Sequence, residues 1–246
     1  MQTMLDQRLI VHITSQGKGG VFKSGAAALL GQYLQDKGHD PKLIDTDPTN
    51  ATLSHFKALN VFHVNVADGN AVDIVKFNEI ANRIVTDDGP FVIDTGATIF
   101  LPFWQYVGEV HLVNFFASHG RRMVIHCPVM GGQELSETVN GLAGICRMMP
   151  ANSIVVWLNC FHGRIEHDGK QFEDFAAVRE NAEKLLGIVR LGEPISSLRA
   201  RALQSLAESN RTFKEAIGDP AVGLIERHLL HQIRKGIFDQ IESIGL

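Results

Sequence analysis

The stretch Ser15-Gln16-Gly17-Lys18-Gly19-Gly20-Val21-Phe22-Lys23-Ser24 constrains this chain more than any other. It follows the apolar run Leu9, Ile10, Val11 and Ile13 and precedes Gly25, Ala26, Ala27, Ala28, Leu29 and Leu30. That order reads as strand, glycine-rich turn and helix. Such a turn aims backbone N–H groups and a helix N-terminus at one spot, where unpaired donors and the helix dipole favour negative charge. Against the phosphate-binding pattern G-x-x-x-x-G-K-[ST], Gly17, Lys23 and Ser24 fit. Lys23 is then placed to reach β- and γ-phosphates and the Ser24 hydroxyl to ligate Mg²⁺, with Gly19, Gly20, Val21 and Gly25 completing the cradle. Phe22 departs from the pattern, standing where the second glycine belongs. Forcing a residue with a Cβ into a glycine conformation costs ~1–2 kcal/mol or more, and a benzyl group is a steric obstacle besides. The reading therefore expects nucleotide binding that survives but is weakened, and slow hydrolysis, unless the ring turns away.

Strands and helices alternate downstream. A helix over 23–37 ends at Gly38, and Lys42-Leu43-Ile44 leads to Asp45-Thr46-Asp47-Pro48. The alternation of 61–66 predicts a strand, and Ile74, Val75, Ile80 and Ile84 recur at helical spacing within 73–85. Phe91-Val92-Ile93 is an apolar run without polar alternation, as a strand buried on both faces requires, and Asp94 closes it. Further helices are expected over 102–118, 134–149 and 172–186, and strands over 123–129, 153–159 and 188–191, with 161–170 a polar loop. From Ser197 the chain reads as helical, broken near Gly218-Asp219-Pro220, with Leu229, Leu230, Ile233, Ile237 and Ile241 on one stripe of the last helix. The pattern predicts a single α/β domain over 1–246: a doubly wound, mostly parallel sheet flanked by helices, with helices 197–246 packed on it.

Composition narrows the setting. At 246 residues, 45% apolar, one such domain is ordinary. A formal charge of -4 argues against a general nucleic-acid coat. Three cysteines without C-x-x-C spacing fit a reducing compartment better than a disulfide framework. The first residues, Met-Gln-Thr-Met-Leu-Asp-Gln-Arg, contain no apolar signal core, and no run approaches the ~20 apolar residues of a membrane span, so a cytoplasmic location is expected.

Three segments converge if the fold is as read. The glycine loop binds phosphate. Asp94, ending a buried strand, has the place and chemistry of a Walker B carboxylate holding Mg²⁺. Asp47, following a second strand, is placed to orient the attacking water. Lys18-Gly19-Gly20-Val21-x-Lys23-Ser24 resembles the deviant Walker A loop of the ParA/MinD superfamily, and 45–48 and 92–97 resemble its switch I and its Walker B and switch II segments. The resemblance implies an ATP-dependent homodimer in which Lys18 contacts nucleotide across the interface, Asp47 serves hydrolysis and Asn159 reads the adenine. A narrower likeness, to the TraL family of conjugative plasmids, is carried by 44–52, Lys57-Ala58-Leu59-Asn60-Val61, Val124-Ile125-His126, Gly131-Gly132-Gln133, 155–159, 165–170 and 235–238. It implies an accessory role in plasmid transfer through a type IV secretion apparatus.

Other readings stand beside this one. A non-hydrolysing scaffold would keep the fold and act through partners. A partition-type protein would use Arg199, Arg201, Arg211 and Lys214 as a DNA-facing surface, although a solvated face is the default for such a cluster. Asp45 serves either the turn or the chemistry. His162, Glu166, His167 and Asp168 are more ordinarily unliganded loop residues than a metal site. The C-terminal stripe packs on the domain or a partner helix rather than on a membrane, since its flanking charge is mixed.

Overall fold

The apolar runs become the strands of one parallel sheet, because strands covered on both faces have no solvent side to demand polar alternation. The computed structural model describes residues 5–68, 71–192 and 197–246; Met1–Met4 of the N-terminal stretch lie outside them. Among the described residues the sheet strands are β1 (Ile10–Thr14), β2 (Lys42–Asp45), β3 (Phe62–His63), β4 (Phe91–Asp94), β5 (Arg122–Met130), β6 (Ile154–Asn159) and β7 (Leu185–Leu191). Their order is β7-β6-β5-β1-β4-β2-β3, and every pairing is parallel. The chain winds first to one side of β1 and then, from β5, to the other. This makes the end of β1 a topological switch point, where open α/β sheets bind ligands.

Helices α1 (Lys23–Asp36), α2 (Ile74–Thr86), α3 (Phe100–Glu109), α4 (Leu112–Ser118), α5 (Leu135–Met148), α6 (Ala176–Arg179), α7 (Leu198–Glu208), α8 (Phe213–Gly218) and α9 (Leu224–Ser243) cover the two faces. Period-two alternation splits β1 between two cores. Ile10 joins Leu30, Leu34, Leu203, Ile237 and Ile241 of α1, α7 and α9. Val11 and Ile13 join Phe77, Phe103, Phe116 and Leu142 of α2 to α5. The C-terminal stripe is thus used inside the fold: Leu230, Ile233, Ile237 and Ile241 are buried, and Leu229 is half-buried. The Tyr33 hydroxyl donates to the Leu246 carbonyl at 2.5 Å, tying the chain's end to α1. No helix among the described residues is long and apolar enough to cross a membrane.

A polar line runs through the first core. The Trp157 indole N–H donates to His126 Nδ1 at 2.9 Å. His126 Nε2 lies 3.0 Å from His12 Nδ1. With Nδ1 of His126 accepting, its proton sits on Nε2 and points at His12.

Four expected elements differ. The polar loop over 161–170 carries a short antiparallel pair, Glu166–His167 with Lys170–Gln171. The helix over 172–186 is instead a 3₁₀ turn at Phe172–Asp174, the short α6, a 3₁₀ turn at Ala182–Lys184 and the start of β7. Asn152 and Ser153 N–H groups bond the Glu183 and Lys184 carbonyls at 2.8 and 3.0 Å, which holds this segment to the start of β6 and out of a helix. The helix over 102–118 is two, broken where His111 takes φ 50°. The strand over 61–66 shrinks to Phe62–His63 at the sheet edge.

Candidate functional site

Register assembles the site. Thr14 of β1 sits opposite Asp94 of β4, and Asp94 opposite Asp45 of β2, so three strand ends place a hydroxyl and two carboxylates in one row. The loop 15–22 leaves this row and turns into α1. Gly20 and Phe22 both hold left-handed torsions, Phe22 at φ 81°, ψ 23°. The Phe22 carbonyl accepts the first helical bond, from the Ala26 N–H at 2.9 Å. The backbone has kept the glycine conformation despite the Cβ, and the side chain has accommodated. The ring lies against the first turn of α1, where a Cβ on Gly25 would fall 2.4 Å from its Cε2. It also lies beside Phe161, centroids 6.5 Å apart and planes inclined by 28°. The torsional cost of ~1–2 kcal/mol is already present in this conformation. It therefore falls on folding stability, and the torsion by itself adds no further cost when a nucleotide binds.

Lys23 is buried, and its ammonium donates to the Lys18 carbonyl at 2.9 Å, bracing the loop from inside. Burial lowers its pKa; the Asp94 and Asp47 charges act the other way. Asp94 is also buried. Its Oδ1 accepts from the Thr14 hydroxyl at 2.6 Å, and its carbonyl from the Thr46 hydroxyl at 2.8 Å. Burial pushes its carboxyl up to about 7 against the Ser24 and Thr14 hydroxyls, which hold it down. A buried carboxylate with hydroxyls around it is a set of hard oxygen donors, as Mg²⁺ prefers. The residues expected to hold that ion, Ser24 and Asp94, are thus brought together.

The two switch-like aspartates differ. Asp45 is buried and structural: its carboxylate accepts from the Asp47 N–H at 3.1 Å and from the Ser54 N–H and hydroxyl at 3.0 and 3.1 Å. Burial raises its pKa. Asp47 lines the cavity, and its Oδ1 accepts from the Thr49 N–H and hydroxyl and the Asn50 N–H at 2.9, 3.0 and 3.1 Å. Gly96 leaves the space this carboxylate fills, since a Cβ there would fall 2.6 Å from Asp47 Cγ. Lys18 points to the opposite side of the loop, pairing Glu134 at 2.8 Å and Glu137 at 2.9 Å. Asn159 ends β6, lines the cavity and accepts the Phe161 N–H at 3.0 Å.

A cavity of about 480 Å³ opens over this arrangement. Gly19, Gly20, Val21, Lys23, Ser24 and Gly25 form one wall, Asp47 and Thr98 another, and Gln204 and Glu208 of α7 a third. Gly17 and Lys18 lie outside it, on an adjoining groove with Phe100 and Glu137. Sequence reasoning missed Gln16. Its buried carboxamide donates to the Pro128 and Thr138 carbonyls, both at 3.0 Å, and accepts the Gly17 N–H at 2.9 Å, anchoring the loop to β5 and α5. Only its adjacency to Gly17 hinted at this. It missed α7 as well, because helical periodicity does not say which helix end closes a cavity.

The other candidates disperse. Arg211 pairs with Asp219 at 2.8 Å. His167 lies 3.6 Å from Asp168, and among the described residues no cluster of three or more His, Cys, Asp or Glu is placed to hold a metal ion.

Comparison with known proteins supplies the family. Two curated proteins from Escherichia coli, each called Protein TraL, are 36% identical over 237 residues, covering 96% of this chain and 98% of theirs. No protein-family model matches the chain. Among solved structures, the MinD cell division protein of Aquifex aeolicus superposes with a TM-score of 0.51 at 15% identity, covering 92% of this chain and 96% of that one. The MinC:MinD cell division protein complex from the same organism aligns with the same score and identity. At that identity the likeness speaks for the fold alone, a MinD-type P-loop architecture.

Proposed function

This chain belongs to the TraL family, and on that premise we propose that it is an ATP-binding protein and a slow, ATP-dimerised ATPase, cytoplasmic and accessory to plasmid conjugation through a type IV secretion apparatus. The observation that carries this reading is the preformed loop. Gly20 and Phe22 already hold the left-handed torsions, and Lys23 and Ser24 already stand beside buried Asp94. Backbone N–H groups of Gly19, Gly20, Val21 and Gly25 would bind the phosphates, with Gly17, its own N–H held by Gln16, shaping the loop, and Lys23 would neutralise the phosphate charge. Ser24 and Asp94 would hold Mg²⁺, which when bound spreads the phosphate charge. Asp47 orients the attacking water, and Asn159 contacts the base. Lys18 reaches the partner subunit's nucleotide, which requires it to leave Glu134 and Glu137. Exposed pairs of this kind contribute ~0–1 kcal/mol, so a dimer contact outweighs them.

Titration with ATP and Mg²⁺ together with steady-state turnover tests the reading. Binding lost in Lys23→Ala, and turnover lost but binding kept in Asp47→Ala, is the expected result; a wild-type chain that binds no nucleotide refutes it. A second reading, a nucleotide-binding scaffold without hydrolysis, is favoured by one feature: Asp47 Oδ1 is already occupied by three donors of its own turn. Binding without turnover in the wild type decides for it.

A further inference from the structure

The cavity has two chemically different ends, and Phe22 contributes to both. Its backbone belongs to the phosphate end with Gly20 and Lys23. Its ring has left that end and covers Gly25, whose missing side chain is what makes the room: three ring atoms lie 2.4–2.7 Å from the point a Cβ would occupy. The ring's other neighbour is Phe161, and the two planes are inclined by only 28°. Both rings line the cavity, with Met130 and Ala207 adding apolar surface and Asn159 and Gln204 a polar edge. The Asn159 side chain is fixed through its buried bond to the Phe161 N–H, and the Gln204 amide donates to Glu208 at 2.8 Å on the exposed side. A flat aromatic body with hydrogen-bonding groups on its rim matches this end; an inorganic phosphate does not. An aromatic ring pairs with another π-system in an offset-stacked or edge-to-face arrangement, with centroids roughly 4.5–7 Å apart.

We propose that Phe22, with Phe161, forms the aromatic wall of a nucleobase pocket, so that the residue breaking the phosphate-loop pattern determines specificity for the base. The inference rests on the nucleotide-binding reading above and adds the base as the group Phe22 contacts. Gly25 is its structural partner: a side chain at 25 and a ring at 22 exclude each other.

The test separates the base from the phosphates. Calorimetric titrations compare ATP, UTP and inorganic tripolyphosphate, each with Mg²⁺, on the wild-type chain and on Phe22→Leu and Phe161→Leu. Leucine at 22 keeps the Cβ and its torsional strain and removes only the aromatic face. The expected result is ATP preferred over UTP by the wild type, and ATP affinity reduced about tenfold in each variant, the low end of a base–aromatic stack, with tripolyphosphate affinity unchanged. Equal loss of ATP and tripolyphosphate affinity, or no loss of either, overturns the proposal. So does tripolyphosphate binding without ATP binding in the wild type, which would make the ring an obstacle. Failure of the wild type to bind any of the three overturns the nucleotide reading itself, a different result. Should a variant fail to fold, the ATP, UTP and tripolyphosphate series on the unaltered chain still decides, because absence of any gain from the base overturns the proposal.

Discussion

Placing an alanine at 25 is the sharpest probe of where the Phe22 ring lies. Gly25 is the third residue of α1. In an ordinary helix Gly→Ala stabilises by ~0.5–1 kcal/mol. Here the new methyl would fall 2.4, 2.5 and 2.7 Å from three ring carbons, so the ring must leave. It then loses its contact with Phe161, ~0.5–1.5 kcal/mol for an aromatic pair, together with part of its burial. The two effects oppose, and Gly25→Ala is expected to be neutral or destabilising by up to ~1 kcal/mol. In a Phe22→Gly background nothing opposes the methyl, and the same change should stabilise by ~0.5–1 kcal/mol. The coupling between the sites is therefore ~0.5–2 kcal/mol, at or above the ~0.5 kcal/mol within which independent sites add. Urea unfolding of the four chains without nucleotide measures it, and the corresponding shifts in Tm are roughly 2–4 °C per kcal/mol for a chain of this size. Additivity within ~0.5 kcal/mol would show that the ring does not occupy that place, and the base-pocket inference would lose its geometric basis.

Gly96→Ala should leave nucleotide affinity within about twofold while cutting turnover at least tenfold. Its methyl displaces the Asp47 carboxylate without straining a backbone at φ -68°, ψ 154°; unchanged turnover would remove Asp47 from the reaction. Glu134→Gln with Glu137→Gln should release Lys18 and tighten ATP-dependent dimerisation by up to about fivefold, ~1 kcal/mol for exposed pairs, as read by sedimentation. A shift the other way would show that these carboxylates hold Lys18 in its working position. Acid should unfold the chain through His126, whose Nδ1 is occupied by the Trp157 N–H and cannot take a proton without losing that bond. Burial lowers its pKa from 6.5 to about 3. The unfolded state therefore binds the extra proton between these values, and the stability present above pH 6.5 falls as pH drops. At pH 5 the loss is about 2 kcal/mol from this group. A resonance assigned to the His126 imidazole that titrates near 6.5 in the folded chain would contradict it.

The sequence by itself determined the alternation, the parallel sheet and the order of the loop, Asp47 and Asp94 along the chain. Parallel strands buried on both faces must be continuous apolar runs, and a loop that takes left-handed turns at a helix N-terminus favours glycine. Tertiary structure alone decided the rest. Residues 172–186 have helical spacing, yet bonds from Asn152 and Ser153 hold them to the edge of β6, and such long-range bonds leave no periodic trace. The two aspartates of the segment 45–48 look alike as letters. Register buries one among Ser54 and Asp47 donors and leaves the other lining the cavity. Phe22 shows the division most plainly. Its letter says that a glycine is missing. Whether the backbone or the side chain yields depends on what surrounds both, and here Gly25 and Phe161 give the ring a place that lets the loop keep its left-handed turn.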